Sequence, residues 1–294
     1  MFEKILVPLD GSELAEGALP YVEEIARSFS SEVILLTAYL SGERVEHLLG
    51  AYMAKKVQDL QTLGVKARSV ILQGDAATQI LDFAKKNKIG LIIISTHGCS
   101  GCGRWPLGNI ANKVMRESLI PTILVRSDQL GDVGADKELK KILVSLDGSR
   151  FAEVVIPHVE GLAKKMNSEV VLVMAIEAVK LPYIAAYRDR EEMEKNYTTK
   201  AKREAERYLN KKEMSLSNKG LKVSSVPLEG KPTPTILQYG EDNSFNLIAL
   251  TTHGFSGVTK WAYGSVASHI IESSSKPLLV LRASLPGLKP DDRY

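Results

Sequence analysis

Short apolar runs alternate with longer amphipathic stretches along the whole chain. The runs in the first half lie at 5–9, 32–38, 65–73, 91–95 and 122–126. Between the first two, apolar residues recur at helical spacing, at Leu14, Ala18, Val22, Ile25 and Ala26. Apolar strands separated by helices predict a parallel α/β sheet that is covered on both faces. The same pattern predicts one helix from Ser12, its N-cap, to about Arg27, and further helices at 43–63, 76–88 and 109–118.

The pattern then repeats. Residues 5–38 and 142–175 lie 137 positions apart and are identical at 18 of 34 positions. The ends also match, IPTILVRS at 120–127 against KPLLVLRA at 276–283, but 156 positions apart. The chain therefore holds two homologous copies, and the second has 19 additional residues in its middle.

The repeat and the alternation of strands and helices predict two tandem doubly wound domains, each with a five-stranded parallel sheet between helices. We expect the strand order 3-2-1-4-5, in which strands one and four flank the switch point where ligands bind. We place the domains at 1–127 and 139–283, a linker at 128–138 and a tail at 284–294. A homodimer of the whole chain stays open.

The additional residues of the second copy fall in its second helix, at about 185–215. This segment mixes basic and acidic residues. Its apolar side is formed by Met193, Tyr197, Ala201, Tyr208 and Leu209. Mixed charge favours a long helix with a solvated face over an interaction arm.

Composition narrows the protein class. The chain has 294 residues, 44% hydrophobic and 25% charged, with a net charge of +3 and only two cysteines. These values exclude a disordered or disulfide-stapled chain. Charges of both signs are interleaved, which argues against a nucleic-acid partner. No apolar stretch reaches bilayer length and the first residues lead directly into a strand, so we expect a cytoplasmic protein without a membrane partner.

Two loops in each copy could carry chemistry. The first is Asp-Gly-Ser after the first strand, beginning at Asp10 and Asp147. The second is a glycine loop, at 95–109 and 251–265, which ends in a glycine and a small polar residue that opens a helix. Glycine-rich backbone and a helix N-terminus together suit a phosphate group. The loop is neither a Walker A motif nor a GxGxxG fingerprint, and the alternative is a glycine turn in which Ser265 merely caps its helix.

Both copies resemble the universal stress protein family, through ILVPLDGS and ILVSLDGS, the strand EVILLTA, and the late glycine loop leading to KPLLVLR. The resemblance implies a five-stranded α/β fold and pairing of family domains through their last strands. Because this chain holds two copies, we expect TILVR and LLVLR to pair within it as a pseudo-dimer, which would also satisfy their exposed edges. The resemblance further implies a stress-response regulatory protein. One branch of the family binds ATP or AMP through Gly-x-x-Gly-nine residues-Gly-Ser/Thr and an aspartate after the first strand, whereas another branch lacks this motif.

Transferred residue by residue, this motif matches the second copy better than the first. The second copy matches at Asp147, Gly254, Gly264 and Ser265, and departs at Thr251. The first matches at Asp10, Gly98 and Gly108, and departs at Ser95 and Asn109. By position, Ala175 and its counterpart Ala38 would meet adenine through the backbone. We therefore expect ATP or AMP, with Mg²⁺ as an optional companion, mainly in the second copy; side chains at 95 and 251 could narrow the phosphate path.

Two further features of the glycine loops leave alternatives open. His97 and His253 occupy equivalent positions, and we interpret them as hydrogen-bonding groups of the loop rather than catalytic bases, with slow ATP hydrolysis left open. Cys99 and Cys102 form a C-x-x-C that occurs in the first copy alone. The pair could be a redox couple, half of a zinc site, or two idle thiols. An interaction module without nucleotide and a thiol or metal sensor are thus the alternative functions.

Overall fold

The structure, a computed structural model, describes residues 1–98, 107–126, 138–178, 180, 189–252 and 263–283, with the backbone alone at 43. Residues 128–137 of the predicted linker, the tail and both cysteines lie outside these residues. The domain boundaries therefore stay predictions. In the described part of the chain, every helix is too short or too polar to cross a membrane.

The first half alternates strands and helices as the hydrophobic pattern predicts. Its strands are β1 Lys4–Pro8, β2 Glu32–Tyr39, β3 Lys66–Gln73, β4 Leu91–Ser95 and β5 Thr122–Val125. Its helices are α1 Glu13–Glu16, α2 Leu19–Phe29, α3 Glu43–Thr62, α4 Ala76–Lys86 and α5 Asn109–Glu117.

The second half repeats this order. Its strands are β6 Lys141–Ser145, β7 Glu169–Ile176, β8 Lys222–Glu229, β9 Leu247–Thr251 and β10 Leu278–Leu281. Its helices are α6 Arg150–Glu153, α7 Ile156–Met166, α8 Arg190–Ser217, α9 Pro232–Asp242 and α10 Ser265–Ser273.

All ten strands form one continuous sheet in the order β3-β2-β1-β4-β5-β10-β9-β6-β7-β8. Each half has the predicted 3-2-1-4-5 order. Neighbouring strands are parallel except at the junction, where β5 and β10 pair antiparallel, with Ile123 opposite Leu279. The expected pairing of the two last strands within the chain is therefore present. Apolar side chains of the sheet are buried on both faces, against α2, α3, α7 and α8 on one and α4, α5, α9 and α10 on the other.

The prediction of one helix from Ser12 to about Arg27 is wrong, because this segment forms two helices, α1 and α2. Ser12 is the N-cap of α1, as expected, and its side chain accepts from the Ala15 N–H. The helix then breaks before α2, which has a proline, Pro20, in its first turn. Proline has no N–H to donate to the preceding turn, so it suits a helix start and disfavours a helix interior. The second half breaks in the same way, at Pro157.

The inserted helix begins and ends later than predicted. Helix α8 has 28 residues against 20 in α3. Its buried residues, Ala205, Leu209 and Leu216, all lie in its second half. Tyr197, which the pattern placed on the apolar side, is 49% exposed. The first half of α8 therefore lies largely in solvent, as a charged face predicts.

Candidate functional site

Each half of the sheet has a cavity at the carboxyl end of its strands. Cavity one has a volume of about 360 Å³, and its lining includes all seven residues that the sequence singled out in the first copy: Asp10, Ala38, Ser95, His97, Gly98, Gly108 and Asn109. Cavity two, of about 300 Å³, includes Asp147, Ala175, Thr251, Gly264 and Ser265. His253 and Gly254 lie outside the described residues. The topology thus brings the two predicted loops of each copy into one cavity.

The Asp-Gly-Ser turn fixes the aspartate of each cavity at the end of its first strand. Gly11 has φ +86° and Gly148 has φ +82°, a left-handed conformation that glycine adopts without strain. The turn lets Asp10 Oδ1 accept from the Ser12 N–H at 3.0 Å and from Ser12 Oγ at 2.6 Å. Asp147 Oδ1 accepts from the Ser149 N–H at 2.9 Å. Local hydrogen bonds therefore orient both carboxylates.

Gly98 lies directly against the other oxygen of Asp10. A Cβ at this position would be 1.9 Å from Asp10 Oδ2, a distance that no side chain can tolerate. Any other residue would force the loop or the carboxylate to shift, so the approach of the backbone to Asp10 favours glycine here. This contact explains the glycine after His97 by packing, independently of any ligand.

The second glycine of each loop directly precedes the helix whose first residues line the cavity. The Gly108 N–H donates to Thr96 O and the Gly264 N–H donates to Thr252 O, both at 2.8 Å. Helices α5 and α10 then begin at Asn109 and Ser265, and no side chain of the described residues caps either helix. The N–H groups of their first turns, at 109–111 and 265–267, have no acceptor within the helix and belong to residues that line the two cavities. Each cavity therefore meets the positive end of a helix dipole.

The two side chains that replace the first motif glycine are part of the cavity walls. Ser95 is 5% exposed and Thr251 is 7% exposed. Ser95 Oγ donates to Leu14 O at 2.8 Å, so its hydroxyl binds the backbone of α1. The hydroxyl that was expected to narrow the phosphate path is thus bonded within the protein.

His97 makes the local contact expected of a loop histidine. Its Nδ1 lies 3.2 Å from Thr96 Oγ1. Among the described residues, no group of three or more His, Cys, Asp or Glu side chains is placed to hold a metal ion. One carboxylate lines each cavity in its described part, Asp10 or Asp147.

The remaining lining gives each cavity an apolar side. In cavity one, Ala38 lies with Leu36, Ile80 and Ile94. In cavity two, Ala175 lies with Ile236 and Leu250. A cavity lined by both apolar side chains and a helix N-terminus suits a ligand with a flat apolar part and an anionic part.

The sequence reasoning missed a difference at the edge of the cavities. Asp75 is the N-cap of α4, beside Ala76 of cavity one, and it accepts from the N–H and Oγ1 of Thr78 and from Lys113 Nζ. The Thr78 hydrogen bonds, followed by Lys113, lower the pKa of Asp75 to about 2. The equivalent positions in the second copy hold Lys231 and His269. The opposite charges of Asp75 and Lys231 were the signal of this difference available in the sequence.

Comparisons with known proteins agree with this fold and with its duplication. The model of the universal stress protein family matches residues 1–126 and again 138–282. A universal stress protein of Methanocaldococcus jannaschii is 32% identical over 141 residues, which are 43% of this chain and 83% of that protein. One of Mycolicibacterium smegmatis is 24% identical and covers 95% of this chain and 96% of its own length. The crystal structure of a universal stress protein from Archaeoglobus fulgidus aligns with 97% of this chain and 100% of its own, at 18% identity and a TM-score of 0.68.

Proposed function

The chain belongs to the universal stress protein family, as a tandem of two family domains, and on that premise we propose that it is a stress-response regulatory protein that binds adenine nucleotide. The ligand is ATP or AMP. It lies in the cavities at the carboxyl edge of the sheet and is held more tightly in cavity two.

One observation carries this proposal. In both halves, an uncapped helix N-terminus faces the same cavity as an oriented aspartate and an apolar wall. Backbone N–H groups at a helix start bind phosphate oxygens, and the helix dipole favours the negative charge. The aspartate would accept a hydrogen bond from a ribose hydroxyl, and the wall around Ala38 or Ala175 would contact the base.

Two differences favour cavity two. Ser265, at the first position of α10, has a hydroxyl that can donate to a phosphate oxygen. Asn109 can donate only from its amide, on a longer side chain. In addition, Lys231 at the edge of cavity two is positive, whereas Asp75 at the equivalent position is negative and paired with Lys113.

Mg²⁺ would be coordinated mainly by phosphate oxygens of the nucleotide and would have few protein ligands. Asp147 or Asp10 could supply one ligand, and Mg²⁺ commonly binds through one or two carboxylates together with phosphates and water. Titration with and without Mg²⁺ separates this contribution from direct binding.

A second candidate is a family member that keeps the fold as an interaction module and binds no nucleotide. Thr251 and Ser95 in place of the first motif glycine, and Asn109 in place of Ser or Thr, favour this alternative. The two functions differ in what the purified protein releases when it is denatured, because a bound nucleotide can be identified by its mass.

The test combines that measurement with calorimetric titration of ATP and AMP. Gly264→Val with Ser265→Ala should remove most binding, at least a tenfold loss in affinity. The matched pair Gly108→Val with Asn109→Ala should remove less. If the first-domain pair is the more damaging, the assignment to cavity two is wrong. Neither released nucleotide nor any heat of binding would favour the interaction module.

A further inference from the structure

A tyrosine of the second domain contacts helix α5, whose first residues line cavity one. Tyr263 precedes Gly264, and its hydroxyl lies 3.3 Å from both the main-chain oxygen and Oδ1 of Asn112 in α5. The Asn112 N–H donates to Gly108 O at 2.9 Å, the bond that closes the first turn of α5. Tyr263 therefore contacts the residue that anchors the N-terminal turn at cavity one.

The environment of Tyr263 keeps it a hydrogen-bond donor. Its ring packs against the apolar cluster on the α5 and α10 face of the sheet. Burial strongly raises the pKa of its phenol, and the nearby Arg116 offsets only part of that rise. The hydroxyl is therefore protonated at all ordinary pH values and can donate to Asn112 throughout.

This contact has no mirror image across the pseudo-twofold axis. The equivalents of Tyr263 and Asn112 are Leu107 and Ser268. Leu107 is 8% exposed and has no polar side-chain atom. At the other ends of the same helices the contacts are reciprocal, since Arg126 donates to Glu272 O and Arg282 donates to Arg116 O. The asymmetry is thus confined to the cavity ends of α5 and α10.

We propose that Tyr263 is a positioning residue for cavity one, supplied by the second domain, and that a nucleotide in cavity two favours binding in cavity one. The inference rests on the proposed nucleotide function. A ligand bound by the N–H groups that follow Gly264 restrains the backbone beside Tyr263. Once a ligand in cavity two has ordered this contact, a second ligand loses less conformational entropy when it orders α5 at cavity one. The coupling is reciprocal, so a ligand in cavity one favours binding in cavity two to the same extent.

The contact can be tested in two ways with Tyr263→Phe, which removes only the hydroxyl. Hydrogen–deuterium exchange needs no ligand, and the amides at 112–115 of α5 should exchange faster in the variant, with those at 268–271 of α10 unchanged. For binding, ¹³C-labelled alanine methyls report the cavities separately, through Ala38 and Ala175. ATP affinity read at Ala38 should fall roughly two- to tenfold, the range of one net hydrogen bond, and affinity read at Ala175 should change less.

Coupling is tested by blocking cavity two with Ala175→Phe. This change should weaken ATP binding read at Ala38 in the parent protein and should have no effect in the Tyr263→Phe background. Tyr239→Phe is the matched control, since Tyr239 is a partly buried tyrosine of the same domain that lies on α9. It should leave affinity at Ala38 and exchange in α5 unchanged.

The outcomes separate this inference from the proposed function. Unchanged exchange in α5, or equal loss of affinity at both cavities, would overturn the role of Tyr263. If no ATP binds the parent protein, the nucleotide function and its coupling fail, and the exchange result alone decides whether Tyr263 positions α5.

Discussion

The two cavities have the same architecture and differ in the residues that complete it. Both have a strand-end aspartate oriented by an Asp-Gly-Ser turn and a helix that starts after a glycine. They differ at the first helical residue, Asn109 against Ser265, and at the edge, Asp75 against Lys231. Duplication has thus kept the backbone and changed the polar groups that a ligand would meet.

The interface between the domains shows the same division. Arg126 and Arg282 make equivalent contacts with the last turns of α10 and α5. Tyr263 and Asn112 have no such counterpart, because Leu107 stands in for the tyrosine. Along α5 and α10, symmetry is therefore kept at the last turns, where the two arginines bind, and lost at the first turns, which line the cavities.

The largest effect is expected at Gly98. Gly98→Ala places a Cβ 1.9 Å from Asp10 Oδ2, so either the loop or the carboxylate must move. We expect a loss of about 2–3 kcal/mol in the free energy of unfolding, typical of overpacking, and loss of ligand binding in cavity one. Urea unfolding and ATP titration measure these quantities.

The control is the same change in an Asp10→Ala background, where the clashing carboxylate is absent. Gly98→Ala should then have almost no further effect on stability. An equal loss of stability in both backgrounds would show that Gly98 is needed for a reason other than its contact with Asp10.

The strands and the loops at the carboxyl edge were predictable because they depend on local patterns. Runs such as LIIIS at β4 are apolar on both faces, and the repeat fixed the number of domains. Ser12 could be identified as an N-cap from its position between a strand and an amphipathic helix. Seven residues chosen from the motif line one cavity.

Other features could not be predicted, because they depend on tertiary contacts or on a single residue that interrupts a regular pattern. The apolar spacing continues across Pro20, so the break between α1 and α2 was hidden by periodicity. Tyr263 and Asn112 are 151 positions apart, and only the antiparallel β5–β10 junction brings them together. Helical spacing likewise placed Tyr197 on the apolar side of α8, whereas it is 49% exposed and the buried residues of this helix all lie in its second half.

A smaller effect is expected at the domain interface, where the halves differ in another charged residue. Glu24 Oε1 accepts from the Leu139 N–H at 2.9 Å, and Leu139 is buried. The equivalent of Glu24 is Gly161, which the Met1 side chain approaches instead. Glu24→Ala should cost about 1–2 kcal/mol of unfolding free energy, because it removes the acceptor of a buried N–H.

Glu24→Gln keeps an acceptor oxygen and should cost clearly less than Glu24→Ala. Chemical denaturation of both variants decides the point. Equal losses would mean that the charge of Glu24, rather than its bond to Leu139, stabilises the interface.

The smallest effect concerns Asp75, the acidic residue that the second domain lacks. Its pKa is lowered to about 2, first by the Thr78 hydrogen bonds and then by Lys113. Because the folded-state pKa lies below the ordinary value of 3.8, Asp75 stabilises the fold above about pH 4, and this contribution is lost as the pH falls towards 2. Asp75→Ala should therefore lower the Tm at pH 6, and the difference from the parent should shrink between pH 4 and pH 2.

The order of causes can also be tested at this exposed site, where ion pairs contribute little. An NMR titration of the Asp75 carboxyl should show a larger rise in pKa for Thr78→Val than for Lys113→Ala. The opposite order would mean that the ion pair with α5 dominates, and high salt would then raise the pKa in the parent protein as well. The second domain cannot compensate for either change, since Lys231 and Pro234 occupy the positions of Asp75 and Thr78. Acid sensitivity of this cap would thus be a property of the first domain alone.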